Sequence, residues 1–162
     1  LVGGKMDLTE GGIRVPWIAH WPAVIAPGGT STQTCMTMDW SATMLDAAGA
    51  PAAASHPLDG RSLMPLLRDA TWHDDQPLFW RMNHRGQRAM RHGPWKYLRV
   101  DGHDYLFNLE GDERERANLA PIAPERLAAM VQAWEAWEVT MPPIPADATV
   151  SLGYGVKDMP QR

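Results

Sequence analysis

Four short segments between residues 77 and 109 constrain the fold of this chain more than any other feature of its sequence. They are separated by the turn sequences NHRG, HGP and DG. Short strands that follow one another through glycine-containing turns are typical of antiparallel hairpins. The sequence therefore predicts a four-stranded antiparallel meander. Its strands are expected at 77–83, 87–91, 95–100 and 104–109.

Helical patterns flank this sheet region. The segment 124–141 starts with a proline and carries apolar residues at helical spacing, so it predicts a long C-terminal helix. The apolar stripe consists of Leu127, Met130, Val131, Trp134 and Trp137. A second helix is predicted from Asp39, as its N-cap, to Ala48, and a shorter helical turn is predicted within 61–69.

A further strand is predicted at Pro16–His20, inside the apolar stretch IRVPWIAHWPAVI. Pro16 and Pro22 remove backbone donors and favour the edge of a sheet. These elements together indicate an α+β protein, with a strand and a helix first and then a small antiparallel sheet packed by a C-terminal helix. The 162 residues suffice for a compact domain with its own core.

Composition excludes several classes of protein. The net charge is −4 and the basic residues are scattered, so no nucleic acid partner is expected. No run of eighteen apolar residues occurs, so no membrane span is predicted. Cys35 is the single cysteine, so an internal disulfide is excluded. The residues that follow it, Met-Thr-Met, include no base that could deprotonate its thiol. The six histidines lack ligand spacing, and Asp74-Asp75 is interpreted as a solvated loop rather than a metal pair, so this chain alone is expected to bind no metal.

Lys5 is the first candidate for chemistry. It follows Gly3-Gly4, and glycines allow backbone N–H groups and an ammonium to approach an anion closely. The alternative is an ordinary solvated lysine, since no Ser or Thr follows to complete a Walker loop. Glu10 and Arg14 lie four residues apart around two glycines, which favours a tight turn fastened by a carboxylate–guanidinium pair.

A second candidate site lies in the turn NHRGQR between two predicted strands. His84 and Arg85 in this turn, with Arg88 beside it, suit a sulfate, phosphate or carboxylate, because loops at strand ends often hold binding groups. The alternative is an exposed polar hairpin turn.

Several stretches carry a resemblance to a known family in their order and spacing. The stretches are GGKMDLTEGGIRVPW (3–17), DWSATMLDAAGA (39–50), LDGRSLMPLLRD (58–69), RAMRHGPWKYL (88–98) and DYLFNLEGDERERANLA (104–120). They resemble the C-terminal third of the type I, formylglycine-dependent sulfatases of the alkaline phosphatase superfamily. Ala42 stands where that family usually has a proline, and Asn108 where it has an aspartate.

The resemblance implies roles for the candidate residues. Lys5 would bind a sulfate oxygen of a sulfate ester substrate, Glu10 and Arg14 would support its loop, and His84 and Arg85 would line the substrate mouth. The family's calcium and formylglycine would have their ligands and nucleophile outside this chain, because no Cys/Ser-x-Pro-x-Arg motif occurs in it. The chain is therefore expected to have no turnover alone.

The resemblance also implies a domain organisation. Residues 1–75 would end the catalytic α/β domain, 76–141 would form a C-terminal sheet subdomain with a closing helix, and 142–162 would be an irregular tail. Two other functions stay open: a phosphonate or phosphate monoesterase of the same superfamily, and a non-catalytic interaction module. Apolar residues that would pack on an absent sheet predict a homo-oligomer. These are Trp17, Ile18, Trp21 and Trp40.

Overall fold

The structure, a computed structural model, describes residues 1–145 and residue 148. The chain forms two compact units. The first unit consists of Leu1–Val15 together with the chain from Gln76 onward, and the second is Pro16–Asp75. The predicted tail lies mostly outside the described residues, and the assignment of domains made from the sequence stays a prediction.

The first unit is built on the predicted antiparallel meander, which is confirmed. Its strands are paired in the order β1-β2-β3-β4, each antiparallel to the next. A 3₁₀ turn at His84–Gly86 joins the first two strands. The strands are β1 (Leu78–Met82), β2 (Gln87–His92), β3 (Trp95–Val100) and β4 (His103–Asn108).

One face of the sheet is covered by helix α4, Pro124–Glu138, as the apolar stripe predicted. Its buried Met130 and Trp134 pack against buried side chains from three strands. Trp134 Nε1 also donates a hydrogen bond to the Trp80 carbonyl at 3.0 Å. The strand side chains in this cluster are Met90, Tyr97 and Leu106.

The other face is covered by the start of the chain. Leu8 is 3% exposed and packs on inward-facing residues of the sheet. The single helical turn α1, Glu10–Ile13, follows it directly. Because both faces are covered, Lys96, Tyr97 and Leu98 are buried in succession, and β3 lacks the apolar–polar alternation of a half-exposed strand. The buried residues around Leu8 are Ala89, Leu98 and Phe107 of the sheet and Leu109, which follows β4.

The second unit contains two helices, α2 (Thr37–Ala47) and α3 (Met64–Arg68). The predicted N-cap at Asp39 is wrong, because the helix begins at Thr37 and Met36 occupies the N-cap position, three residues earlier than predicted. Asp39 is instead the third helical residue, where its buried Oδ2 accepts the Met36 N–H at 2.7 Å. This is the half of a capping box that an acid at this position supplies.

The strand predicted at Pro16–His20 is also wrong. These residues are described throughout, and they form no strand. Their prolines remove donors from any ladder, and a strand additionally needs a neighbour, which local sequence cannot supply. Ile18 is 90% exposed and Trp17 packs edge-on against Trp40 at 5.7 Å between ring centroids. No helix in the described part of the chain is long and apolar enough to cross a membrane.

Candidate functional site

The segment Val2–Arg14, named here the lysine loop, folds back tightly on itself. The Gly11 N–H donates to the Val2 carbonyl at 2.8 Å, and the Gly4 N–H donates to Asp7 Oδ2 at 3.0 Å. A Cβ at Gly12 would lie 2.0 Å from the Asp7 carbonyl oxygen, so only glycine fits there. This explains the second glycine pair of the sequence in terms of backbone packing.

Lys5 occupies the exposed turn of this loop. The following residue, Met6, has a φ of +78°, a conformation that a non-glycine residue rarely adopts. Among residues 1–145 and 148, no carboxylate forms an ion pair with the Lys5 ammonium. The loop thus presents a free cation on a compact, internally hydrogen-bonded support.

The side-chain amide of Gln87 joins the lysine loop to the 3₁₀ turn. Gln87 is 1% exposed, and its Oε1 accepts the Leu8 N–H at 2.8 Å. Its Nε2 donates to the Met6 carbonyl at 3.0 Å and to the His84 carbonyl at 3.1 Å. The two turns that carry Lys5 and His84 are therefore held by one nitrogen atom and lie side by side.

A buried ionic triad holds the C-terminal half of the loop. Lys96 on β3 is fully buried, and its Nζ lies 2.8 Å from Glu10 Oε1 and 2.8 Å from Glu115 Oε1. Both carboxylate side chains are 1% exposed. Glu115 Oε2 also accepts the Glu10 N–H at 2.7 Å. Buried charges need partners of this kind, and here the partners come from three separate segments.

The ion pair predicted between Glu10 and Arg14 is wrong. Glu10 turns inward to Lys96, whereas Arg14 turns outward and contacts the exposed Glu113 at 3.5 Å. Arg91 Nη1 approaches Glu10 Oε2 at 3.7 Å. Burial lowers the pKa of Arg91, and the charge of Glu10 opposes that effect. The physical reason is that the buried sheet lysine offers Glu10 a closer cation than its own loop does.

The second candidate, Arg85, already has an anionic partner. Its Nε and Nη2 lie 2.9 and 2.5 Å from Asp101 Oδ2. The hydrogen bond to Asp101 is the main cause that raises the pKa of Arg85, and the same bond lowers the pKa of Asp101. Both residues have positive φ, at +58° and +50°. The charge of Arg85 is largely balanced, while His84 lies half-buried beside it.

No metal site and no activated thiol are found in the described residues. They contain no group of three His, Cys, Asp or Glu side chains placed to hold a metal. Burial raises the pKa of the Cys35 thiol, which disfavours the nucleophilic thiolate. Asp74 forms an ion pair with Arg61 at 2.6 Å rather than facing a metal.

A cavity of about 730 Å³ lies between β2 and the start of α4. Met90 and Met130 line it, so it opens on the sheet face opposite the one that packs against Leu8. It is therefore remote from Lys5 and is not the candidate site. Apart from His92, Glu125 and Arg126 it is lined by apolar residues and a proline.

Sequence reasoning missed Gln87, Lys96 and Glu115. Gln87 was part of a predicted turn–strand boundary, where a polar residue is ordinarily solvated. One signal for Lys96 was available, because it lies between Trp95 and Tyr97 inside a predicted strand. A charged residue that points to a covered face of a sheet requires a charged partner.

Comparison with known proteins gives consistent results. The family model described as "N-sulphoglucosamine sulphohydrolase, C-terminal" matches residues 4–125. Human steryl-sulfatase is 31% identical over 180 residues, covering 88% of this chain. The chain spans 31% of that protein's length.

Solved structures agree on the fold. The crystal structure of Ps i-CgsB superposes with a TM-score of 0.66 at 28% identity, over 73% of this chain and 27% of that one. A structure solved in complex with its substrate D-glucosamine-2-N,6-O-disulfate superposes with a TM-score of 0.58 at 22% identity, over 74% of this chain and 27% of that one. The prediction of an α+β chain that forms the C-terminal portion of an alkaline-phosphatase-like fold is confirmed.

Proposed function

Because the chain belongs to the family of the C-terminal domain of N-sulphoglucosamine sulphohydrolase, we propose that it forms the C-terminal part of a sulfuric ester hydrolase. In this proposal Lys5 binds an oxygen of the sulfate group, and the substrate is a sulfate ester. The sulfated substrate named for one structural relative supports this class of ligand.

The contrast between Lys5 and Arg85 carries the proposal. Both are exposed basic residues on adjacent turns, yet the Arg85 guanidinium is held by Asp101. Among the residues described, the Lys5 ammonium has no carboxylate partner, so it is the charge on these two turns that is free to bind an anion. An ammonium fixed near the oxygens of a transferring sulfuryl group stabilises the charge that develops on them. His84 and Arg85 then border the mouth and contact the alcohol portion of the ester.

The lysine loop suits this task because it is preorganised. Its backbone is closed by its own hydrogen bonds, and Gln87 and the Lys96 triad tie it to the sheet. A charge held in place before substrate arrives needs no reorganisation during the reaction, which is the main source of electrostatic rate enhancement. Glu10 supports the loop from inside, and Arg14 closes its outer end through Glu113.

Calcium and a formylglycine nucleophile do not fit the residues present. The described residues contain no group of three His, Cys, Asp or Glu side chains placed to hold a metal, burial raises the pKa of the half-buried Cys35 thiol, and the sequence lacks the Cys/Ser-x-Pro-x-Arg motif. We therefore assign both to parts of the protein outside this chain. The 162-residue chain by itself is then inactive.

The test compares the complete gene product with its Lys5→Ala variant on 4-nitrophenyl sulfate and 4-nitrophenyl phosphate. Loss of one fixed donor to a developing anion lowers kcat by about 10²–10³. We expect this loss on the sulfate ester for Lys5→Ala, partial rescue by Lys5→Arg, and no loss for Arg68→Ala, an exposed basic residue on α3. Unchanged kinetics for Lys5→Ala would refute the role of Lys5, and preferred turnover of the phosphate would favour a phosphate monoesterase.

A further inference from the structure

We propose that Gln87 is a positioning residue that sets the place of Lys5 relative to the turn His84–Gly86. This inference rests on the proposed function, because it assigns Gln87 to the same site. Gln87 touches neither substrate nor solvent, since it is 1% exposed. It acts through the backbone on which Lys5 stands.

Three hydrogen bonds of the Gln87 side chain are directed at the two turns, and its Nε2 also lies 3.8 Å from Met82 Sδ on β1. Its Oε1 accepts from Leu8, and its Nε2 donates to the Met6 and His84 carbonyls. Met6 directly follows Lys5, and Leu8, two residues further on, is the buried residue of the loop. One side-chain amide thus fixes both ends of a three-residue segment and links it to a neighbouring turn.

The backbone at both ends of this link needs such a restraint. Met6 and Arg85, the residues beside Lys5 and His84, have φ values of +78° and +58°. Non-glycine residues hold this conformation only where surrounding contacts impose it, and such strain concentrates at functional sites. The Gln87 amide is the buried contact that reaches Met6 directly.

A purely structural role predicts a different outcome from a positioning role. Leu8 burial and the Glu10–Lys96 pair anchor the lysine loop independently of Gln87. Removing the amide therefore leaves the loop attached but frees the Met6 carbonyl, so that Lys5 moves while the fold persists. A shift of about 1 Å at a positioned group is enough to lower a rate by up to about a hundredfold.

The experiment is a double-mutant cycle in the complete gene product, with kcat and KM measured on 4-nitrophenyl sulfate. The variants are Gln87→Met, Lys5→Ala and the two combined. Gln87→Met keeps the length of the side chain and removes its hydrogen bonds. Asn118→Leu is the matched control, because that amide also binds backbone N–H groups, those of Leu106 and Ala120, on residues outside the lysine loop.

We expect Gln87→Met to lower kcat/KM about ten- to a hundredfold when Lys5 is present. In the Lys5→Ala background it should lower kcat/KM by less than twofold, because the group that Gln87 positions is gone. Asn118→Leu should leave kcat/KM within twofold in both backgrounds. This non-additive pattern is a readout that a general loss of stability would not produce.

Two results overturn the inference. One is unchanged kcat/KM for Gln87→Met, and the other is a loss of equal size with and without Lys5. Should Gln87→Met fail to fold, Gln87→Asn replaces it, since its shorter amide stays neutral but cannot reach the Leu8 N–H and the two carbonyls together. An unaffected Lys5→Ala single variant would refute the proposed role of Lys5, which separates that failure from failure of the Gln87 role alone.

Discussion

Replacement of Lys96 by methionine should destabilise the chain more than any exposed change of the same chemistry. The side chain is fully buried, and its ammonium lies 2.8 Å from each of two carboxylates that are 1% exposed. Methionine retains the volume but leaves two buried carboxylates facing one another, with Arg91 at 3.7 Å from Glu10 as the remaining cation. Removing one partner from a buried ion pair costs about 3–5 kcal/mol.

The assay is equilibrium urea denaturation of the 162-residue chain, followed by the fluorescence of its eight tryptophans. With a slope of about 2 kcal/mol per molar urea, the expected loss lowers the midpoint by roughly 1.5–2.5 M. Total domain stabilities are about 5–15 kcal/mol, so a parent chain at the low end of this range would be only marginally folded at 25 °C after the replacement.

The control is Lys5→Met, the same replacement at an exposed lysine, which should change the free energy of unfolding by no more than about 0.5 kcal/mol. Adding Glu10→Gln and Glu115→Gln to Lys96→Met should restore part of the loss, because neutral amides remove the uncompensated charge. A Lys96→Met loss below about 1 kcal/mol would refute the argument that this triad is a mutually dependent buried cluster.

Three further properties of the chain can be tested. In urea denaturation, Gly12→Ala should lower the free energy of unfolding by about 1–3 kcal/mol, because its Cβ would lie 2.0 Å from the Asp7 carbonyl oxygen. Gly4→Ala should lower it much less, because no atom lies within 4 Å of the added Cβ. Equal losses for the two variants would contradict this explanation. Burial raises the pKa of Tyr97 to about 12, so the stability that it contributes is fully present below its ordinary value of about 10 and is lost as pH rises toward 12. Absorbance at 295 nm should show a tyrosine that ionises well above pH 10, and a tyrosine titration that is complete near pH 10 would oppose it. Exposed apolar residues should make the 162-residue chain self-associate in light scattering, and Ile18→Asp should reduce the association; a monomeric parent chain would count against an oligomer.

The sequence predicted those elements whose signals are local. The four strands are defined by turns that lie within a few residues of them, and α4 is defined by an apolar stripe on its own surface. The strand at Pro16–His20 failed because a strand exists only with a neighbour. Asp39 was correctly linked to the start of a helix but was placed at the wrong end of a capping box, since both positions favour an acid.

The candidate site was predicted only in its exposed residues. Lys5, His84 and Arg85 were found because glycines and turns mark them, and their adjacency required the structure. Gln87 and Lys96 were missed because a polar residue in a strand ordinarily faces water, and the sheet's second covering layer comes from residues about eighty positions away. A pattern within a few residues cannot predict a partner that is so distant in the sequence.

The attachment of the lysine loop has a consequence for the order in which the molecule is made. Its anchors join residues separated by 79, 86 and 105 positions along the chain. During synthesis the loop emerges before its partners and must wait, undocked, until β2, β3 and the segment with Glu115 have left the ribosome. Contacts of such long range form late and slow folding. A nascent chain halted before Glu115 would therefore carry every atom of Lys5 and still lack the geometry that makes it useful.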